Sequence, residues 1–559
     1  MEEKQFINGG NVMHVEGSRL TYQMITEHVE KGLWRNERLF DHLESAYREH
    51  PDKVAVVAYS VERNRKEKLT YQELYDKVTR CENGLRALGV QPGDVVSVQL
   101  PNYFEFPIIL YAINKIGAIF NGLTHIYRAK EVQFILRKSQ SKVFVVPNEF
   151  RKFDYIEMVN DVWGDLPDLE KVIVVGDCPK DDHRFIMFDQ IVSKEHHPEI
   201  YSYVNPNTIA QLGFTSGTTG EPKGVMHTHN TLASTIRNYA TYEKLQNNEC
   251  NLIVSPVGHQ TGFLWGALLT TYLKSTAVYL DIWKTEKAAE IINEEKVSMM
   301  LAAAPFLQDL VTHVQEAPLP SLKFISIPGA PIPRKLVAYS AEKLDCKIIP
   351  AWGMTEYGIA IAVAPDDPKH SFQTDGRRVP GAEVKIFAEN AREALPNEEG
   401  DLKIKGAGVF IGYYKRPDLT EKHFDAEGWF DTGDRAVRDE NGFISITGRT
   451  KDIIIRGGEN IPVAEIENLL YEWDKIGDIA IVAIPDERLG ERACAYVVPE
   501  PGESVTFEQM IDYLLSKKIA KQKLPERLEL IEELPRTISG KVQKYVLRED
   551  IKNKIHVER

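Results

Sequence analysis

Between Phe214 and Gly224 the chain reads Phe-Thr-Ser-Gly-Thr-Thr-Gly-Glu-Pro-Lys-Gly, a run that gathers side chains suited to holding an anion. Glycine lets backbone N–H groups crowd around a negative charge, and hydroxyls add donors. Thr215, Ser216, Thr218 and Thr219 supply the hydroxyls, Gly217 and Gly220 the freedom, and Lys223 a point charge for phosphate oxygens. The chemistry suggested is the cradling of a polyphosphate. A plain surface loop is the other reading of a glycine-rich run. The P-loop pattern fails, because Pro222 lacks the N–H needed there and Gly224 has no hydroxyl for a metal ion.

Other chemistry-bearing residues follow in order along the chain. Trp352-Gly-Met-Thr-Glu356 brings a flat aromatic and a carboxylate to the end of an apolar stretch, and a hard cation chooses oxygen ligands such as Glu356. Thr432-Gly-Asp434 and, later, Gly448-Arg449 supply a carboxylate that could accept two hydroxyls and a guanidinium that could orient them; a structural ion pair is the plainer alternative. Arg456-Gly-Gly-Glu-Asn-Ile-Pro462 puts adjacent glycines where a ligand could approach the backbone. Leu534-Pro-Arg-Thr-Ile-Ser-Gly-Lys541 sets a lone lysine after a glycine, and Pro256-Val-Gly-His-Gln-Thr-Gly262 carries His259 and Gln260 ahead of Phe263.

In this order and spacing, over roughly residues 30–550, these segments resemble the ANL superfamily of adenylate-forming enzymes: acyl-CoA synthetases, peptide-synthetase adenylation domains and luciferases. The resemblance implies that ATP is bound by Thr215, Ser216, Gly217, Thr218, Thr219, Gly220 and Lys223. It adds Gly329, Ala330 and Pro331 of Pro328-Gly-Ala-Pro-Ile-Pro333, then Ala351, Trp352, Gly353, Met354, Thr355, Asp434, Arg449 and Lys541. Trp352 stands where the family usually has tyrosine, and Pro328 where it has glycine. Glu356 is the implied ligand of Mg²⁺, Lys541 the implied catalytic lysine with Glu356, Thr215 and Lys223, and Lys451 the implied hinge. His259, Gln260, Phe263, Gly329 and Trp352 are the implied acid pocket, and Gly457, Gly458 and Glu459 the implied pantetheine tunnel.

The activity so implied joins a carboxylic acid to the α-phosphate of ATP and passes the acyl group to CoA. A separate carrier protein is the alternative acceptor, and a non-catalytic nucleotide-binding protein is a more distant alternative. Val225-Met-His-Thr-His-Asn-Thr231 and Lys31-Gly-Leu-Trp-Arg35 look most like cyclohexanecarboxylate-CoA ligases and the neighbouring aryl-acid-activating enzymes. A cyclic, aromatic or medium-chain monocarboxylic acid is therefore expected. Gln260 cannot pair with a substrate ammonium as an aspartate does, but it can hydrogen-bond to something polar.

The elements that must position these residues are legible in outline. Val54–Ala58, Asp94–Leu100, Lys142–Val146 and Lys171–Val175 read as buried strands. Thr70 with Glu73 makes a helix-capping pattern, and a helix from Pro107 should close at Gly117. Such alternation predicts an α/β fold with largely parallel sheets. Shorter runs at Val384–Phe387, Gly400–Lys405 and Gly442–Thr447 predict a small antiparallel, β-barrel-like sheet. The expected division is an N-terminal domain of residues 1–450 and a small mobile α+β lid of residues 451–559, the ANL arrangement.

Composition bounds the partners. At 559 residues two or three domains are expected. The net charge of −14 argues against nucleic acid, although residues 515–559 hold twelve Lys/Arg against seven Asp/Glu. Five scattered cysteines without C-x-x-C spacing indicate neither a disulfide framework nor a zinc site. No apolar run is long enough to span a membrane, so a cytoplasmic protein is expected, either monomer or homodimer.

Overall fold

The computed structural model describes residues 15–193, 203–215, 222–313, 318–328, 334–388, 392–452, 454–456, 459–461, 463–486, 490–517, 519, 521–537 and 540–558. Of the expected site residues, Ser216, Gly217, Thr218, Thr219, Gly220, Gly329, Ala330, Pro331, Gly457 and Gly458 lie outside this set, as do the side chains of Lys451 and Glu459.

Val95–Val98 and Lys171–Val175 are almost wholly buried, which is how strands read when helices cover both faces of a parallel sheet. With Ile119–Gly122, Ser141–Pro147 and Phe185–Met187 they pair in parallel. The edge of this sheet is Ile209–Thr215 beside Ile119–Gly122, followed by the antiparallel Lys223–Thr228. A second, larger sheet runs in parallel from Val54–Ser60 through Thr276–Leu280, Cys250–Ile253, Met299–Leu301 and Phe324–Pro328 to Lys347–Met354. Antiparallel strands Gly358–Ala362 and Arg65–Thr70 flank it on opposite sides.

Between these sheets pack Tyr71–Ala87 and Glu105–Ile116. The first begins as its sequence dictates: Glu73 N–H donates to Thr70 Oγ1 at 3.2 Å, and Thr70 N–H donates to Glu73 Oε2 at 2.8 Å. Two otherwise orphaned donors are satisfied by that exchange. The second ends at Gly117, whose φ of 82° is the left-handed conformation that a Cβ disfavours.

The small antiparallel sheet comprises Ala382–Phe387, Glu399–Gly406, Phe430–Arg438 and Ile444–Arg449. Alternate residues of Glu399–Gly406 are buried, the period of a strand with one covered face. Beyond it, Ile476–Asp486 and Gly490–Pro499 form the long hairpin of a separate sheet, with Arg527–Leu530 parallel to the second strand. Ile479 and Ile481 face the helices Val463–Tyr471 and Phe507–Ser516, while Ala480 and Val482 face Lys544–Glu558. That sheet therefore has its own two-sided core. No helix among the described residues is long and apolar enough to cross a membrane.

Lys347–Met354 turns back into Gly358–Ala362 over Thr355, Glu356 and Tyr357. Gly358 has φ 92°, which a three-residue hairpin turn requires at its end. Gly353 lies so close to this turn that a Cβ there would sit 2.0 Å from the Gly358 carbonyl oxygen. Gly353→Ala should therefore cost roughly 1–3 kcal/mol or more, since packed backbone yields little. Thermal or denaturant unfolding checks this, and a variant as stable as the wild type would contradict the close approach.

Candidate active site

Thr215 and Lys223 are cross-strand partners, so the strands Ile209–Thr215 and Lys223–Thr228 hold the two ends of the Ser216–Glu221 segment together. Gly224 is glycine for a local reason: a Cβ there would stand 3.2 Å from the Phe214 ring and 3.3 Å from Tyr414. Lys223 Nζ lies 3.2 Å from His423 Nε2 and 5.0 Å from the centre of the Tyr413 ring. Burial and the neighbouring ammonium keep the His423 pKa below its ordinary value, so its imidazole can accept from Lys223.

Glu356 sits at the tip of the hairpin turn with only 7 % of its surface exposed. Tyr413 O–H donates to its Oε1 at 3.0 Å. Burial pushes the carboxyl pKa upward, while the Tyr413 bond and the Arg449 and Lys223 charges oppose that rise. A carboxylate kept this dry is stabilised by an added cation. One carboxylate beside phosphate oxygens is also a common way for proteins to hold Mg²⁺, so the donor set fits that ion. The described residues contain no cluster of three acidic, His or Cys side chains that would make a self-sufficient metal site.

Asp434 and Arg449 face each other across the small sheet, with Arg449 Nε 3.0 Å from Asp434 Oδ1. The indole N–H of Trp352 donates to Asp434 Oδ2 at 3.0 Å. Trp352 and Arg449 thus each hold one oxygen of the same carboxylate. Asp434 is 4 % exposed, and burial raises its pKa against the pull of Arg449 and Lys541. Each carboxylate oxygen retains a further lone pair, so two vicinal hydroxyls remain within its capacity.

Lys541 reaches this group from the C-terminal unit. Its backbone N–H donates to Thr537 Oγ1 at 3.1 Å, and its carbonyl accepts from Thr537 N–H at 2.7 Å. Gly540, at φ 79°, turns the chain beside Pro305 and Ala303 of the N-terminal part. The ammonium is pushed down to about 8 by its enclosure and by Arg449, and is held up by Asp434 and Glu356. Two cations and two carboxylates therefore share one partly dry space, where a charge pair is worth several times its value in water.

A cavity opens between Lys541 and the segment Ser255–Thr261, walled by Trp265, Ala303, Pro328, Gly353, Met354, Thr355, Gly358 and Ile359. His259 lines it, with its Nδ1 accepting from Thr261 N–H at 3.3 Å. Burial and Lys541 push its pKa down to about 4, so the ring is neutral near pH 7 and carries its proton on Nε2. Gln260 lines the same wall. Ala351 is a buried strand residue paired with Pro328 and Ala362. Trp352 faces Asp434 and is not among the lining residues, and Phe263 stacks on Phe120 in the core at 4.8 Å.

Three contributors escape a reading of the sequence. Tyr413 and His423 lie far along the chain from their partners Glu356 and Lys223, in segments without an anion-binding pattern. His227 is buried, with Nε2–H donating to the Thr355 carbonyl at 2.7 Å and a pKa pushed down to about 4 by burial. It steadies the turn that carries Glu356. Its segment, Val225–Thr231, stands out in the sequence, but nothing there assigns the imidazole to the turn at Thr355.

Comparison with known proteins agrees with this architecture. The "AMP-binding enzyme" family matches residues 43–414, and the "AMP-binding enzyme C-terminal domain" matches residues 465–541, ending on the lysine just described. The medium-chain fatty-acid–CoA ligase of Escherichia coli K12 is 36% identical over 530 residues, covering 94% of this chain and 92% of the relative. The vibriobactin-specific 2,3-dihydroxybenzoate-AMP ligase of Vibrio cholerae is 27% identical, covering 94% of this chain and 96% of the relative. Among solved structures, the anthranilate CoA ligase AuaEII in complex with anthranoyl-AMP superposes with a TM-score of 0.84 at 22% identity, over 94% of this chain and 98% of that one.

The lowered Lys541 pKa is measurable on the free protein. Only the neutral amine reacts with acetic anhydride, which does not itself titrate, so trace acetylation of Lys541, scaled to an internal amine standard, should rise with pH to a plateau above about 8. Exposed lysines should keep rising through about 10.4. Peptide mass spectrometry after timed exposure reads both, and a Lys541 profile that overlies the exposed lysines would contradict the enclosure.

Proposed function

This chain belongs to the AMP-binding enzyme family, and on that basis we propose that it activates a carboxylic acid with ATP and then passes the acyl group to CoA. A carboxylate resists attack by a thiol because its leaving group would be oxide. Joining one carboxylate oxygen to the α-phosphorus of ATP, with loss of pyrophosphate, gives an acyl-adenylate whose leaving group is AMP. Thiol attack on that carbonyl then forms the thioester and releases AMP.

The observation that carries this reading is the meeting of Lys541, Glu356 and the Asp434–Arg449 pair beside one cavity. In the first step two anions approach each other, and preorganised positive charge lowers that barrier. Lys541 would bridge the incoming carboxylate and the α-phosphate. Asp434 would accept from the ribose hydroxyls, and Arg449 would orient the sugar and phosphate. Lys223, Thr215 and the Ser216–Gly220 segment would hold the departing pyrophosphate. Glu356 would hold Mg²⁺, which supplies Lewis-acid charge to phosphate oxygens. Bound anions also raise the Lys541 pKa, so the ammonium is favoured when it is needed.

We assign residues 1–450 to the nucleotide- and acid-binding domain and residues 451–559 to a lid that turns at Lys451. One carbonyl must meet Lys541 first and a pantetheine thiol second, so two faces of the lid must serve in turn. Gly457 and Gly458 would line the thiol's path, with Glu459 beside them. The 36% identity to a ligase named for medium-chain fatty acids supports a medium-chain acid with CoA as acceptor. The relative named as a 2,3-dihydroxybenzoate-AMP ligase supports an aryl acid as the activated substrate, and the second reading passes that acid to a carrier protein. Thioester mass after incubation of an acid panel with ATP and either acceptor separates the two.

Lys541→Ala should lower acyl-adenylate formation at least about a hundredfold, the scale expected for loss of a preorganised charge. Thioester formation from supplied acyl-AMP and CoA should change only severalfold. A bulky residue at Gly458 should do the reverse. Equal loss of both half-reactions in both variants would refute the two-face assignment.

A further inference from the structure

A lysine ammonium rides on a flexible four-carbon stem, so its direction is set first at its own Cα. The peptide group just before that Cα, Gly540–Lys541, is held at both ends. Lys541 N–H donates to Thr537 Oγ1 at 3.1 Å, and the Gly540 carbonyl accepts from Arg536 Nη1 at 2.5 Å. Gly540 needs such restraint, because a glycine at φ 79° can reach other conformations at little cost. Turning this peptide over would break both bonds at once.

Arg536 is itself held. Its Nη2 donates to Asp478 Oδ2 at 2.6 Å, while Asp478 Oδ1 accepts from Tyr471 O–H at 2.5 Å and from Ile479 N–H at 2.9 Å. Tyr471 ends the helix Val463–Tyr471, and Asp478 lies on the strand Ile476–Asp486. One guanidinium thus ties the loop before Lys541 to a helix and a strand of the same unit. All these partners lie between Tyr471 and Lys541 in sequence, so the set travels with the lysine when the lid turns. The Arg536 and Asp478 side chains are 31 % and 21 % exposed, so their ion pair adds little to stability. A planar donor fork between two fixed acceptors does, however, fix direction.

We propose that Arg536 and Asp478 are positioning residues for adenylation: together they hold the Gly540–Lys541 peptide so that the lysine side chain leaves the loop toward Asp434 and Glu356. This rests on the adenylation reading above and adds two residues to it. Arg536 acts through the Gly540 carbonyl, and Asp478 acts through Arg536. A staple that merely keeps the lid folded is the competing account. A loosened lid would impair both half-reactions, whereas a misdirected lysine impairs only the one that uses it.

The test measures the two half-reactions separately in the full chain. The acid is whichever gives the fastest acid-dependent exchange of labelled pyrophosphate into ATP among straight-chain medium-length acids and benzoate. Its acyl-AMP, supplied with CoA, reads thioester formation alone. Arg536→Met should lower kcat for acyl-AMP formation roughly tenfold to a hundredfold, the scale for a small misplacement of a reacting group. KM for ATP and for the acid should stay within about threefold, as should thioester formation. Asp478→Asn should cost less than Arg536→Met. The double variant should lose no more than Arg536→Met alone, because residues acting in series do not add.

Equal loss in both half-reactions, or acyl-AMP formation unchanged in Arg536→Met, would overturn the inference. Losses that add in the double variant would overturn the route from Asp478 through Arg536. If Arg536→Met does not fold, Arg536→Lys, which keeps the charge without the planar fork, is read by the same criterion. A wild type that exchanges pyrophosphate with none of these acids would instead overturn the adenylation reading beneath the inference.

Discussion

The arrangement depends on the placing of a part-buried ammonium among charges that come from other parts of the chain. Lys541 feels Asp434 and Glu356 as attraction and Arg449 as repulsion, and it pays for its enclosure with a lowered pKa. At about 4 Å a unit pair is worth about 1 kcal/mol in water and about 4 kcal/mol at an effective dielectric near 20. The partial exclusion of water therefore gives these few groups their leverage.

That constraint explains several choices in the scaffold. Glu356 and Trp352 come from one tight hairpin, whose close backbone contact at Gly353 and whose left-handed Gly358 leave little freedom to drift. Asp434 and Arg449 are fixed by their cross-strand register, and Trp352 then ties the hairpin to that sheet through Asp434. His227 braces the turn from the loop-flanking hairpin. Three sheets thus converge on one spot, and Lys541 is brought there by a fourth with its own core. A unit with a separate core can change its position without loss of its own packing.

What could be read in the sequence followed from locality. The Thr70–Glu73 cap, the closure at Gly117 and the runs near Lys142 and Lys171 depend on neighbours within a few residues, and they stand where periodicity and capping rules put them. Asp434 and Arg449 could be suspected of pairing because one turn separates two strands. The bond from Trp352 to Asp434 could not be suspected, because it joins different sheets. Tyr413, His423 and His227 escape the sequence for the same reason, since a lone polar residue declares its partner only through the fold. Phe263, expected in the acid pocket, shows the converse: it packs against Phe120 in the core.

The central claim is that a carboxylate oxygen of the substrate attacks the α-phosphorus of ATP in this site. The most direct test is to offer an acid labelled with ¹⁸O in both carboxyl oxygens and to examine the products of a turnover by mass spectrometry. The account predicts one ¹⁸O in each AMP released and none in pyrophosphate. Label found in inorganic phosphate with ADP as co-product, or AMP formed without any ¹⁸O, would contradict it.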